Sequence, residues 1–311
     1  MNATASKRPL KIGVQLPEVE YVATWPEIVQ MARRTEALGY DSLWIGDHLL
    51  YRNQGEAPKA PWEAWSMMAA LAAVTERVEI GPLVACTGFH NPAMLAKKAA
   101  TLEEISGGRL ILGLGAGWNK PEYDAYGYPY DHRVSRFEEA FTIIRQLLRE
   151  GRADFHGQYC DANDCLLMPR GPRREGPPIM IGSQGARMLE ITLPYVESWN
   201  AWYAWFDNRP EKLAAILANL DAACRAAGRD PATLERTCAL LVAMPGAKGR
   251  APGDPTDRGT QPLRGTTEEL AETMRAFARL GIGHIQLVLD PNTAEGIEAF
   301  APVLAALDEG G

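Results

Sequence analysis

The stretch "ISGGRLILGLGAGWNKPEYDAYGYP", residues 105–129, decides how the chain is read. It sets Gly113, Gly115 and Gly117 at the end of an apolar run, with G-x-G-x-G spacing. A dinucleotide-binding turn needs G-x-G-x-x-G between a strand and a helix N-terminus, with an acidic residue about 20 positions on. Here the third glycine comes one position early. The segment after it, "WNKPEYDAYGYPYDHR", reads as a polar aromatic loop and not as a helix start. The run is also the fourth strand of the chain, not the first, so the dinucleotide reading fails. What remains is a strand stripped of side chains near its end, which marks a close approach by another backbone or by a ligand. Tight packing accounts for Gly113 alone. Gly115-Ala116-Gly117 before Trp118 points instead to a wall for a flat ligand.

Outward from this stretch, short apolar runs alternate with helical patterns. Strands are expected at 11–17, 41–48, 78–86, 109–117, 178–185, 198–203, 238–244 and 284–290. They are rich in Val, Ile and Leu without strict alternation, as in strands covered on both faces. The helix "WPEIVQMARRTEALG" puts Ile28, Met31, Ala32, Thr35 and Leu38 on one face, with Pro26 in its first turn and Gly39 as its stop. The next strong pattern has Asn91 as cap, Pro92 at the first position and Gly107-Gly108 as the stop. Further helices are expected at 62–74, 133–149, 186–194, 210–227, 267–280 and 294–308. Eight strand–helix units predict an α/β fold, a (β/α)8 barrel over residues 1–311 as one domain. A doubly wound sheet is the alternative. Two long loops, 150–177 and 245–266, have the length of lids or disordered segments. The second follows the seventh strand on the catalytic side and reads as a lid.

A net charge of −7 argues against nucleic acid or an anionic membrane as the main partner. No apolar run approaches the roughly 20 residues that cross a bilayer. The start, "MNATASKRPLKIGVQLP", lacks the apolar core of a signal peptide, so a soluble cytoplasmic protein is expected. The five cysteines contain no C-x-x-C pair. Cys160 and Cys165, with Asp161 and Asp164 between them, lack further soft ligands, so reduced thiols and no metal site are expected.

Barrel active sites are assembled from the C-terminal ends of the strands. The first strand ends at Gln15, an amide able to meet a heterocycle edge. The second ends at Asp47-His48, a carboxylate beside a group that titrates near neutrality. The third offers Val84-Ala85-Cys86 and then His90. After the fifth, Ser183, Gln184 and Gly185 offer amides and a hydroxyl to a phosphate, or simply a helix cap. After the sixth, Trp202, Tyr203, Trp205 and Phe206 suit either a planar ligand or the core. No carboxylate–histidine cluster or strand-end lysine stands out, which argues against a metal or Schiff-base enzyme.

"HNPAMLAKKAATLEEISGGRLILGLGAGW" (90–118) closely resembles the core signature of the bacterial luciferase-like flavin oxidoreductase superfamily. "GYDSLWIGDHLL" (39–50), "PPIMIGSQG" (177–185) and "ESWN" (197–200) match its other landmarks in order. The resemblance implies a (β/α)8 barrel holding a flavin or the deazaflavin coenzyme F420 at its C-terminal mouth. It also implies a non-prolyl cis peptide around Leu83-Val84-Ala85. Chain length and the Asp47-His48 pair resemble the deazaflavin branch. The proton-donating Glu of deazaflavin-dependent glucose-6-phosphate dehydrogenases falls at Trp118, and their nearby Trp at Arg52, so sugar-phosphate oxidation does not carry over. The expected activity is hydride transfer between F420 and a small organic substrate, with His48 as the proton-transfer group. Gln15, Asp47, Val84, Cys86, Ala116, Gly117, Asn119, Gly182, Ser183 and Gly185 are expected to line the cofactor. The alternatives are an FMN-dependent monooxygenase served by a separate reductase, and a non-catalytic flavin-binding protein. The resemblance also suggests a homodimer. Loops 51–61, 118–132, 203–209 and 245–266 would choose the substrate.

Overall fold

The computed structural model describes residues 8–250 and 253–309. The N-terminal residues in which no leader was expected, and two positions of the loop 245–266, lie outside them. The barrel strands are β1 (Lys11–Gln15), β2 (Ser42–Ile45), β3 (Glu79–Pro82) continued by β4 (Ala85–Cys86), and β5 (Leu112–Gly115). After β6 (Arg152–His156) and β7 (Asp161–Leu166), the barrel resumes with β8 (Ile179–Ile181), β9 (Ser198–Ala201), β10 (Glu235–Ala243) and β11 (Ile282–Asp290). Their hydrogen-bonded order is β3-β2-β1-β11-β10-β9-β8-β5-β4, parallel throughout. A bridge between Ile80 and Leu110 brings β3 back to the segment that enters β5 and nearly closes the ring. The eight expected strands are therefore the eight staves of a (β/α)8 barrel, the third broken at the cis Leu83–Val84 peptide.

The helices wrap the barrel as α1 (Trp25–Ala37), α2 (Ala64–Val74), α3 (Pro92–Ile105), α4 (Lys120–Tyr126), α5 (Arg133–Glu150), α6 (Ala186–Thr192), α7 (Pro210–Ala226), α8 (Thr267–Arg279) and α9 (Ala294–Glu309). In α1 the face made by Ile28, Met31, Ala32 and Thr35 is buried, as its spacing requires. The Asn91 side chain caps α3 by accepting from the Met94 N–H at 3.0 Å. Asn91→Ala is expected to lower the unfolding free energy by about 1 kcal/mol, read from the urea midpoint. No helix among the described residues is long and apolar enough to cross a membrane.

Two expectations need correction. Residues 150–177 are no lid: β6 and β7 pair as an antiparallel hairpin, with Ala153 and Ala162 turned inward and polar residues outward. The rest is tied down by Arg173, which grips the buried Glu103, and by Arg170 on the Leu148 and Arg149 carbonyls. The segment after Gly117 is not all loop either. Helix α4 begins three residues on, with Pro121 in its first turn, and its aromatic polar composition hid it.

Inside the barrel, His284 and Gln286 alternate with core residues of β11. His284 Nε2 bonds the Ser42 hydroxyl at 2.7 Å, which also accepts from Trp44 Nε1 at 2.7 Å. Burial, with Lys11 adding repulsion, pushes the His284 pKa from 6.5 down to about 3. The folded state thus binds fewer protons than the unfolded chain, and stability falls as pH drops below the ordinary value. Acidification from pH 7 to pH 5 is expected to cost about 2 kcal/mol through this group. Urea unfolding of His284→Asn at both pH values should lack that increment.

Candidate active site

At the C-terminal mouth lies a cleft of about 440 Å³, within the usual range for small-molecule sites. Val84 forms its floor, held by three backbones stripped of side chains. A Cβ on Gly115 would come within 2.9 Å of Val84, one on Gly182 within 3.1 Å, and one on Gly113 within 2.9 Å. The Gly113 position faces the Pro82 carbonyl and lies outside the cleft, so there the packing reading holds. Gly115, Ala116 and Gly117 do border it. Gly117 has φ of 75° and lies against Tyr123 and Cys86, so both its conformation and its neighbours demand glycine.

Gln15 reaches the cleft from β1 with its Oε1 buried and without a hydrogen-bond partner. Asp47 Oδ2 accepts from the Cys86 N–H at 2.9 Å and meets His90 Nε2 at 3.1 Å, tying the second strand to the third. Cys86 Sγ lies 3.0 Å from the Tyr123 hydroxyl, and burial pushes its thiol up to about 12, so it stays protonated. Ser183 and Gly185 also border the cleft. The Ser183 hydroxyl accepts from the Gly185 N–H at 3.3 Å, while Gly185 itself, not Ser183, is the cap position of α6. Asn119, expected to line the cofactor, is buried, its Nδ2 donating to the Leu50 carbonyl at 2.9 Å. The four aromatics after β9 divide: Trp202 and Trp205 line the cleft, whereas Tyr203 and Phe206 are buried.

The sequence reading found no carboxylate–histidine cluster, and the fold assembles one from three segments. His48 Nδ1 sits 3.1 Å from Glu122 Oε2, a carboxylate that also accepts from the Leu49 and Leu50 amides. Glu18 approaches from the β1–α1 loop, its Oε1 taking a 2.7 Å bond from the Tyr51 hydroxyl. Burial alone would lower the His48 pKa, but Glu18, Glu122 and Asp47 outweigh it and raise the value to about 9. Burial would raise Glu122, yet His48 and the two amides hold it below the ordinary carboxylate range. Burial does raise Glu18, against the pull of His48. His48 is therefore a cation at neutral pH. Its Nδ1 is committed to Glu122, and Nε2 remains for a ligand. Glu122 was missed because it lies 74 positions away, on the helix the sequence concealed. Among the described residues no group of His, Cys, Asp and Glu is arranged to hold a metal ion.

From the loop 245–266, expected to act as a lid, Arg250, Gly253, Asp254 and Asp257 line the cleft. The Arg250 guanidinium is buried, 2.8 Å from Glu20 and 3.4 Å from Asp257, and donates to the Tyr203 hydroxyl at 2.6 Å.

Comparison with known proteins places this geometry. The chain is 37% identical over 173 residues to the pyrimidine monooxygenase RutA of Cronobacter sakazakii, covering 54% of this chain and 50% of that protein. It is 32% identical over 183 residues to the 5,10-methylenetetrahydromethanopterin reductase of Archaeoglobus fulgidus, covering 58% and 50%. The chain thus spans about half the length of these relatives. A solved F420-dependent secondary alcohol dehydrogenase, in complex with an F420-acetone adduct, superposes with a TM-score of 0.80. That match covers 96% of this chain and 99% of the other at 22% identity, a likeness of fold. The family model for luciferase-like monooxygenases matches residues 10–246, from the first strand to just past β10. On that match the chain belongs to the luciferase-like monooxygenase family.

Proposed function

We propose that the protein transfers a hydride between coenzyme F420 and a small organic substrate, with His48 supplying or receiving the accompanying proton. The observation that carries this reading is His48 itself: a cation at neutral pH, facing the cleft, with one ring nitrogen uncommitted. The residues present fit a planar heterocyclic cofactor. Val84 between the glycine backbones offers a flat apolar floor, and the unpartnered Gln15 amide can satisfy a ring-edge donor. Ser183 and Gly185 follow the fifth strand, across the barrel from the carboxylates of the first and second, and would hold the cofactor's tail. When bound, the deazaflavin supplies or accepts the hydride. The chain's own part is to hold the ring, exclude water and keep a proton at His48 Nε2. Glu122 orients the imidazole, and Glu18 with Asp47 stabilises its charge.

A second reading, an FMN-dependent monooxygenase, is supported by the buried Arg250 and its loop along the cleft, which would help to shield a reduced flavin from water. Parallel fluorescence titrations of the purified protein with F420 and with FMN separate the two. Micromolar binding of F420, at least about tenfold tighter than FMN, is the expected result. The reverse preference overturns the hydride-transfer reading and directs work to oxygen-consumption assays with a flavin reductase.

A further inference from the structure

Trp118 lines this cleft and is nonetheless 42% exposed. An exposed indole on a loose loop would mean little, but this loop is pinned at three consecutive residues. Arg133 donates to the Gly117 carbonyl at 3.1 Å, and the Tyr130 hydroxyl donates to the Trp118 carbonyl at 3.0 Å. Asn119 Nδ2 donates to the Leu50 carbonyl at 2.9 Å. The indole is thus presented from fixed backbone, its ring 5.6 Å from the His48 imidazole in an edge-on arrangement and 6.4 Å from Tyr51. A flat molecule laid on Trp118 would lie beside His48.

The charges around it disfavour one class of partner. Five carboxylates border the cleft (Glu18, Asp47, Glu122, Asp254 and Asp257) against three cations. Two of the three cations already face carboxylates. His48 pairs with Glu122, and Arg250 with Glu20 and Asp257. Arg133 is held by the Gly117 carbonyl and lies 4.1 Å over the Tyr130 ring. An anionic substrate group would meet a surface where carboxylates outnumber cations and two of the three cations already face carboxylates, at a site where such a group is costly to desolvate. Aromatic faces, by contrast, favour planar partners in stacked or edge-on geometry.

From this juxtaposition we propose that the substrate is a neutral, planar, conjugated or aromatic molecule, stacked on Trp118 with its reacting atom toward His48. The proposal rests on the hydride-transfer reading for its chemistry but not for its binding site. Calorimetric titrations with acetylnaphthalene, with anionic naphthoate and with the non-planar acetyldecalin test it. They are made on protein saturated with whichever of F420 or FMN it binds, or on cofactor-free protein if it binds neither. Acetylnaphthalene is expected to bind at least about tenfold more tightly than the other two. Trp118→Leu should weaken it about tenfold and Trp118→Phe no more than about threefold, the range of a single aromatic stack. Thermal unfolding of both variants checks that the exposed substitution leaves the fold intact. Naphthoate or acetyldecalin binding as tightly as acetylnaphthalene overturns the proposal. So does undiminished affinity in Trp118→Leu, or no binding of acetylnaphthalene at all. Because the readout is binding, failure of both cofactors to bind would sink the hydride-transfer reading while leaving the Trp118 dependence measurable.

Discussion

His48→Asn is expected to slow turnover by about 10²–10⁴-fold, the range for losing a positioned acid–base group, with KM changed by no more than about threefold. The asymmetry follows from geometry. Asn can still occupy the space beside Glu122 and Tyr51, so the cleft keeps its shape, but it holds no transferable proton. The pH profile gives the sharper signature. Because the neighbouring carboxylates raise His48 to about 9, wild-type substrate reduction should hold through neutrality and decline above that pH. The decline should vanish in His48→Asn. In Glu122→Gln it should move to lower pH, since a carboxamide can still accept from the Leu49 and Leu50 amides but cannot stabilise the imidazolium. Stability follows the same sign. A folded-state pKa above 6.5 contributes stability that is fully present below the ordinary value and is lost as pH rises through about 9. A His48→Asn enzyme that keeps wild-type turnover would remove the proton-transfer role and, with it, the observation on which the proposed function stands.

The barrel was legible because its signals are local and repeated. Eight apolar runs, separated by helical patterns, several of them with Pro near the start and Gly past the end, can be read without knowing any contact. Asp47-His48 was legible for the same reason: both follow a strand whose end must face the mouth. What failed was non-local or masked. Glu122 reaches His48 only because α4 folds back over the second strand's end, and α4 is written in tyrosines, a proline and charged residues that read as loop. The hairpin β6–β7 carries its alternation in Ala153 and Ala162, residues too small to mark a face. Asn119 directly follows the cleft residue Trp118, yet its amide is turned to the Leu50 carbonyl of a neighbouring loop. Side-chain direction at the end of a strand is set by partners the sequence does not bring together.

The opening glycines, too, divide by partner, and two substitutions should separate them. In Gly113→Ala the new methyl would run into the Pro82 carbonyl oxygen, with Val84 at 2.9 Å and the Met180 methyl at 3.2 Å. Pro82 belongs to β3, whose backbone cannot retreat without breaking its ladder to β2. Forcing atoms into such a space costs about 3 kcal/mol, at the upper end for overpacking. Gly113→Ala is therefore expected to unfold several degrees lower than the wild type. In Gly115→Ala the nearest atom is instead a Val84 methyl at 2.9 Å, with the next backbone atom at 3.8 Å. A side chain can yield where a carbonyl cannot, so this variant should stay within about 1 kcal/mol of wild-type stability. Its cost appears at the floor of the cleft, where a displaced Val84 should weaken binding of F420 or FMN about tenfold. Thermal melts and cofactor titrations on the pair distinguish the roles. Equal losses of stability in both variants would mean that Gly115, like Gly113, serves only the closure of the barrel, and that Val84 is not the surface on which the cofactor ring rests.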